Sequence, residues 1–284
     1  MADSAELGTE HTIELPQGTL AYRERGDGPP VVFVHGLLVN GDLWRKVVPP
    51  VAAAGFRCLT PDWPLGSHRH PMRPGADLSP PGVARMVADF LAALDLREVA
   101  LVANDTGGAL TQLAMTRHPE RIGRVVLTPC DCFDQFFPQP FTALPTAARL
   151  PGFGWLLAQT MRSRALQRLP MAFGWLTREP IEPAVMRSYL APSRTDPAIR
   201  RDLTRFVRGV HKRYTLAAAE QLRNFDRPVL LAWAARDRVF PAALATRLAE
   251  RLPDARIELI DDSRTFVPED QPGLLAELVV KFLR

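Results

Sequence analysis

The sequence predicts an α/β fold: a mostly parallel central sheet with flanking helices, interrupted late in the chain by a helical insertion. Short, continuously apolar runs at 31–34, 125–127 and 228–233 have the character of strands buried on both faces. Segments with helical spacing alternate with them, which favours parallel pairing through right-handed crossovers. Between about 131 and 224, helical segments follow one another without a strand.

The elements follow in order. Residues 11–15 and 19–25 alternate around Pro16-Gln17-Gly18 and read as a hairpin, which Gly26-Asp27-Gly28-Pro29-Pro30 breaks. The strand at 31–34 ends in His35-Gly36, and a helix is expected from Leu43 with Trp44, Val47 and Val48. A strand at 57–60 leads to Asp62 and a loop rich in Pro and Gly. Ser79-Pro80-Pro81 opens a helix presenting Val83, Met86, Val87, Phe90, Leu91 and Leu94 at helical spacing. The strand at 98–102 feeds a turn and a helix that reaches His118-Pro119. After the insertion come a strand to Trp233, a helix over 241–251, a strand at 256–260 and a closing helix after Pro272. The division is thus a core of 1–130 and 225–284 with an inserted helical lid at 131–224.

The chain has 284 residues, 46% of them hydrophobic and 23% charged, enough for one sizeable α/β domain. Its charge of +4 comes almost entirely from arginine, with Lys46, Lys212 and Lys281 the only lysines. The basic residues are scattered among acidic ones, which argues against a nucleic-acid partner. Cys58, Cys130 and Cys132 form no disulfide framework, and no Cys or His cluster has ligand spacing, so no metal or other cofactor is expected. Residues 1–10 lack the basic and apolar regions of a leader, and no apolar run is long enough to span a bilayer. The expectation is a cytoplasmic protein, monomer or homodimer, acting on a small molecule away from membranes.

The chemistry centres on Val102-Ala103-Asn104-Asp105-Thr106-Gly107-Gly108, where Ala103 and Gly107 flank Asp105 at the small-x-nucleophile-x-small spacing of a nucleophile elbow. A side chain presented on a tight strand-to-helix turn needs neighbours without bulk, and the first amides of the helix then face the ligand. This run, with the alternating strands and late insertion, resembles the α/β-hydrolase superfamily, in the aspartate branch of haloalkane dehalogenases and epoxide hydrolases. The resemblance covers nearly the whole chain. It implies Asp105 as nucleophile, the backbone N–H groups of Leu37 and Thr106 as oxyanion donors, and Asp237 in Ala234-Ala235-Arg236-Asp237 as the acid.

The resemblance also places a histidine after the last strand, where this chain has Thr265 in Ser263-Arg264-Thr265-Phe266. Threonine cannot serve as a base near neutral pH. Four replacements for the base are open: His68, His70 (both from the loop after the second parallel strand), a water bridging Asp105 and Asp237, and Arg264 between the two carboxylates; Asp131 is a reserve acid. The aromatics of the insertion (Phe133, Phe136, Phe137, Phe141, Trp155, Phe173, Trp175) imply a mainly apolar pocket. Candidates for binding substrate are His35, Asp131, Phe136, Trp155, Tyr189, Tyr214 and Arg264.

Thr106 and Leu37 stand where haloalkane dehalogenases place halide-binding side chains, and the arginines of fluoroacetate dehalogenases have no match. Hydrolysis of an epoxide or ester-like substrate therefore stands ahead of dehalogenation. Two further readings remain: a lyase or isomerase using Asp105 for proton transfer, and a ligand-binding protein without catalysis.

Overall fold

Eight strands form one sheet; numbered along the chain, they lie in it in the order 1-2-4-3-5-6-7-8. The computed structural model describes residues 5–284; residues 1–4, the start of the polar N-terminal segment, lie outside the described residues. Strands β1 (Thr9–Leu15) and β2 (Gly18–Arg25) form the hairpin, and β2 lies antiparallel to β4 (Arg57–Pro61). From there β3 (Pro30–Val34), β5 (Val99–Asp105), β6 (Ile122–Cys130), β7 (Val229–Ala234) and β8 (Ala255–Ile260) add in parallel. The continuous apolar runs have this cause: Val31 to Val34 and all of β7 are buried, with helices on both faces of the sheet.

Helix α2 (Pro80–Ala93) starts where Ser79 predicts, its hydroxyl accepting from the Gly82 amide at 3.3 Å. It buries Val83, Met86, Val87, Phe90 and Leu91. The helix expected from Leu43 begins later. Gly41–Trp44 is a single 3-10 turn, and α1 (Val48–Ala53) follows with Pro49 and Pro50 in its first turn, where a missing N–H costs nothing.

Helix α3 (Thr106–Arg117) is buried along nearly its whole length, which explains its lack of a polar stripe. Between β6 and β7 run six helices: α4 (Leu144–Ala147), α5 (Phe153–Thr160), α6 (Arg164–Gln167), α7 (Pro183–Thr195), α8 (Pro197–Gly209) and α9 (Arg213–Gln221). Three helices then complete the chain around β8: the short α10 (Ala243–Ala249) and α11 (Val267–Asp270), and α12 (Pro272–Leu283). Among the described residues, no helix is long and apolar enough to cross a membrane.

Candidate active site

Asp105 is the last residue of β5 and Thr106 the first of α3, so the chain turns from strand to helix between them. Asp105 has φ 55° and ψ −132°, a conformation that non-glycine residues rarely hold and that costs on the order of 1–3 kcal/mol. The turn survives because its neighbours are packed without tolerance. A Cβ on Gly107 would overlap the carbonyls of Val34 and His35, and one on Gly108 would overlap the Cys130 side chain. A Cβ on Gly36 would overlap the Asp105 carboxylate itself.

The amide of Leu37 donates to Asp105 Oδ2 at 3.2 Å, and the Thr106 amide also hydrogen-bonds the carboxylate. These are the two backbone amides that the resemblance names, here both directed at the carboxylate. Burial pushes the Asp105 carboxyl up to about 6; the two amides oppose the rise and the charge of Asp237 adds to it.

Asp237 lies past the end of β7 and is buried. Its Oδ1 accepts from the amides of Val239 at 2.7 Å and Phe240 at 2.9 Å, and from the Thr265 hydroxyl at 3.1 Å. Its Oδ2 is equally buried and has no protein partner. Burial again dominates and raises this carboxyl to about 6.

Thr265 is therefore tied to the loop carrying Asp237 by its side chain. Its backbone carbonyl accepts from Asn104 Nδ2 at 2.6 Å, tying the same residue to the elbow strand. Asn104 also reaches Thr128 Oγ1 at 2.7 Å and Pro129 O at 3.2 Å. No local pattern in the sequence marks this pinning role, since Asn104 stands there only as the residue before Asp105.

A third carboxyl lies alongside. Thr106 Oγ1 donates to Asp131 Oδ2 at 3.0 Å, while Asp131 Oδ1 is buried without a partner. Burial and the nearby Asp105 charge hold Asp131 far above the usual carboxylate range, favouring its neutral acid.

Asp105 and Thr106 open onto a cavity of about 80 Å³. Its wall is apolar: Leu37 and Leu38 from the core, and Phe137, Phe141, Phe153, Met161, Phe173 and Leu176 from the insertion. Phe137, Phe141 and Phe173 belong to the aromatic set seen in the sequence. Their direction was not legible there, because short helices and irregular backbone give no fixed period.

Several expected residues lie elsewhere. His68 is buried with Nε2 at 3.4 Å from Asp202 of α8, and the Gly66 amide reaches its Nδ1 at 3.4 Å, so it holds the insertion rather than serving Asp105. His35 accepts from the Trp63 amide at 2.9 Å through Nε2, with Nδ1 2.9 Å from Gly36 O. Burial lowers its imidazole to about 4, and its role is to shape the loop carrying Leu37. Arg264 donates to the carbonyls of Gly174 and Thr177 at 2.9 and 2.8 Å instead of standing between carboxylates.

Phe136 packs edge-on against Phe137 behind the cavity wall, and Trp155 is 57% exposed on α5. Tyr189 is buried with its hydroxyl 3.5 Å from Glu269. Tyr214 stacks under Arg213 and accepts a hydrogen bond from it at 2.7 Å. None of these lines the cavity at Asp105.

Comparison with known proteins agrees with this architecture. The chain is 25% identical to the uncharacterized hydrolase YugF of Bacillus subtilis, over 94% of this chain and 95% of that one. It is 26% identical to a cis-3-alkyl-4-alkyloxetan-2-one decarboxylase of Shewanella oneidensis, over 95% and 86% of the two chains. The solved structure of the haloalkane dehalogenase DatA from Agrobacterium tumefaciens C58 superposes with a TM-score of 0.79 at 25% identity, covering 99% of this chain and 98% of that one. The profile of the alpha/beta hydrolase fold family matches residues 29–272, and the chain is an enzyme belonging to that family.

Proposed function

We propose that the chain is a cofactor-independent hydrolase of a small or medium apolar substrate, an epoxide or ester-like compound ahead of a haloalkane, with Asp105 as nucleophile and Asp237 acting directly as base. On this reading residues 131–224 serve as a lid that encloses the substrate with Phe137, Phe141 and Phe173. The observation that carries it is the buried, unpartnered Oδ2 of Asp237, on a carboxyl raised to about 6. A buried carboxylate oxygen calls for a polar partner, and in turnover water is that partner.

With an epoxide, an Asp105 oxygen attacks a ring carbon, the ring C–O bond breaks, and the freed oxygen takes a proton from solvent. An ester to Asp105 results. Water then gives a proton to Asp237 and attacks the ester carbonyl carbon of Asp105. The oxyanion that forms is held by the Leu37 and Thr106 amides; its collapse expels the diol's oxygen, which takes back the proton from Asp237, and the Asp105 acid returns a proton to solvent. Thr265 keeps Asp237 oriented by donating to the other oxygen, Oδ1. A carboxylate with a raised pKa is a better base than an ordinary one.

Intact-protein mass spectrometry with a panel of terminal epoxides, haloalkanes and activated esters tests the division of labour. The natural chain turns over, Asp237→Asn accumulates a covalent adduct, and Asp105→Asn forms none. Thr265→His speeds adduct release. An adduct on Asp105→Asn, or unchanged turnover by that variant, contradicts the reading.

A second reading has its own support. The relative named as an oxetan-2-one decarboxylase matches nearly the full chain. If Asp105 opens such a ring, loss of carbon dioxide can form the alkene and expel Asp105 in one step, so no water needs a base. The two readings part on whether solvent oxygen enters Asp105.

A further inference from the structure

Besides the cavity at Asp105, the insertion holds a larger one of about 440 Å³. Six arginines line it, Arg162, Arg164, Arg168, Arg178, Arg187 and Arg194, against a single acid, Glu179. Arg178 is committed to Asp262, and Arg162 donates to Gln159. Arg164, Arg168, Arg187 and Arg194 have no ion-pair partner among the described residues. Arg164 and Arg168 stand one helical turn apart, and Arg187 and Arg194 two turns apart on one face of α7. Like charges gathered this closely oppose one another, and an anion relieves that cost.

The rest of the wall is apolar, contributed by Phe173, Ile181, Met186 and Leu190. The buried Phe173 also lines the cavity at Asp105, so the two spaces have this ring in common. At about 80 Å³ the inner cavity alone is small for a ligand, whereas the outer one lies within the range of small-molecule sites.

We propose that the outer cavity binds the anionic head, a carboxylate or a phosphate, of an amphiphilic substrate whose apolar part passes Phe173 to reach Asp105. This rests on the reading of Asp105 as nucleophile and adds the class of molecule it acts on. Arginine suits the task because its planar fork pairs with both oxyanions.

Titration calorimetry of the full chain with octanoate, octyl phosphate, 1-octanol, acetate and inorganic phosphate tests it. At least one octyl anion binds about tenfold or more tighter than 1-octanol and than its own headgroup ion, and weakens with added salt. The tighter of octanoate and octyl phosphate identifies the head. The combined variant Arg164→Gln, Arg187→Gln and Arg194→Gln loses about tenfold in affinity for that anion and none for 1-octanol. If its melting shows misfolding, Arg168→Gln with Arg187→Gln takes its place, with the same expected direction. Equal binding of octyl anion and 1-octanol, a headgroup ion as tight as its octyl form, or an unaffected variant overturns the proposal. Adduct accumulation from a small neutral epoxide in an Asp237→Asn background is the separate readout of Asp105 and persists when the arginine substitutions are added, so failure of one idea is distinguishable from failure of the other.

Discussion

Asp105 and Asp237 each sit at about 6 because burial outweighs the amides that hold them. If both must be ionised, kcat/KM falls as pH drops through about 6, and the limb steepens toward two protons below both pKa values. A pH–rate profile checks this; a flat profile between about pH 5 and 7 contradicts it. The same shift destabilises the fold. A carboxyl whose folded pKa is raised costs nothing below its unfolded value, and its penalty grows as pH rises from about 4 to 6. Asp105→Asn is therefore expected to melt several degrees above the natural chain at about pH 8, a gain of roughly 1–3 kcal/mol that vanishes near pH 4. Asparagine tolerates positive φ well enough to keep the turn. At this scale the two carboxylates were legible, since the flanking residues and strand ends mark them. The side chains that misled, His68, Tyr189 and Arg264, are held by partners 134, 80 and 87 residues away, and no local pattern reveals those.

Among the elements, the elbow depends on how closely β3, β5 and α3 approach. Gly36→Ala must displace the Asp105 carboxylate from the Leu37 amide. The expected loss in kcat/KM is about 10²-fold or more, in line with removal of one oxyanion donor, and steady-state kinetics on the folded variant measures it. The strands were readable because a sheet covered on both faces leaves continuous apolar runs, and α2 because Ser79 and its apolar spacing agree. The beginning of α1 was not, since Leu43 and Trp44 have helical character but the prolines at 49 and 50 fit only a first turn. In the insertion, α4 and α6 span four residues each, too few for a period to show which aromatic faces Asp105.

Across the whole molecule, buried polar contacts fasten the insertion to the core. Asp202 of α8 accepts from the Met72 amide at 2.7 Å as well as meeting His68, and these contacts with Arg201 hold its carboxyl below the usual range although burial opposes them. Glu269 similarly joins Arg45 and Lys46 and meets Tyr189 of α7. Asp202→Ala strands the Met72 amide and the His68 ring, and is expected to cost about 3 kcal/mol and lower the melting temperature by several degrees. An unchanged melting temperature contradicts this account of how the two parts are joined.

Hydrolysis at this site requires that water, activated by Asp237, free Asp105 from a covalent ester. Multiple turnovers of an identified substrate in ¹⁸O-labelled water, followed by mass spectrometry of the peptide containing Asp105, test it most directly. Hydrolysis through the ester places solvent oxygen in the Asp105 carboxylate. Turnover that leaves this carboxylate unlabelled contradicts the account.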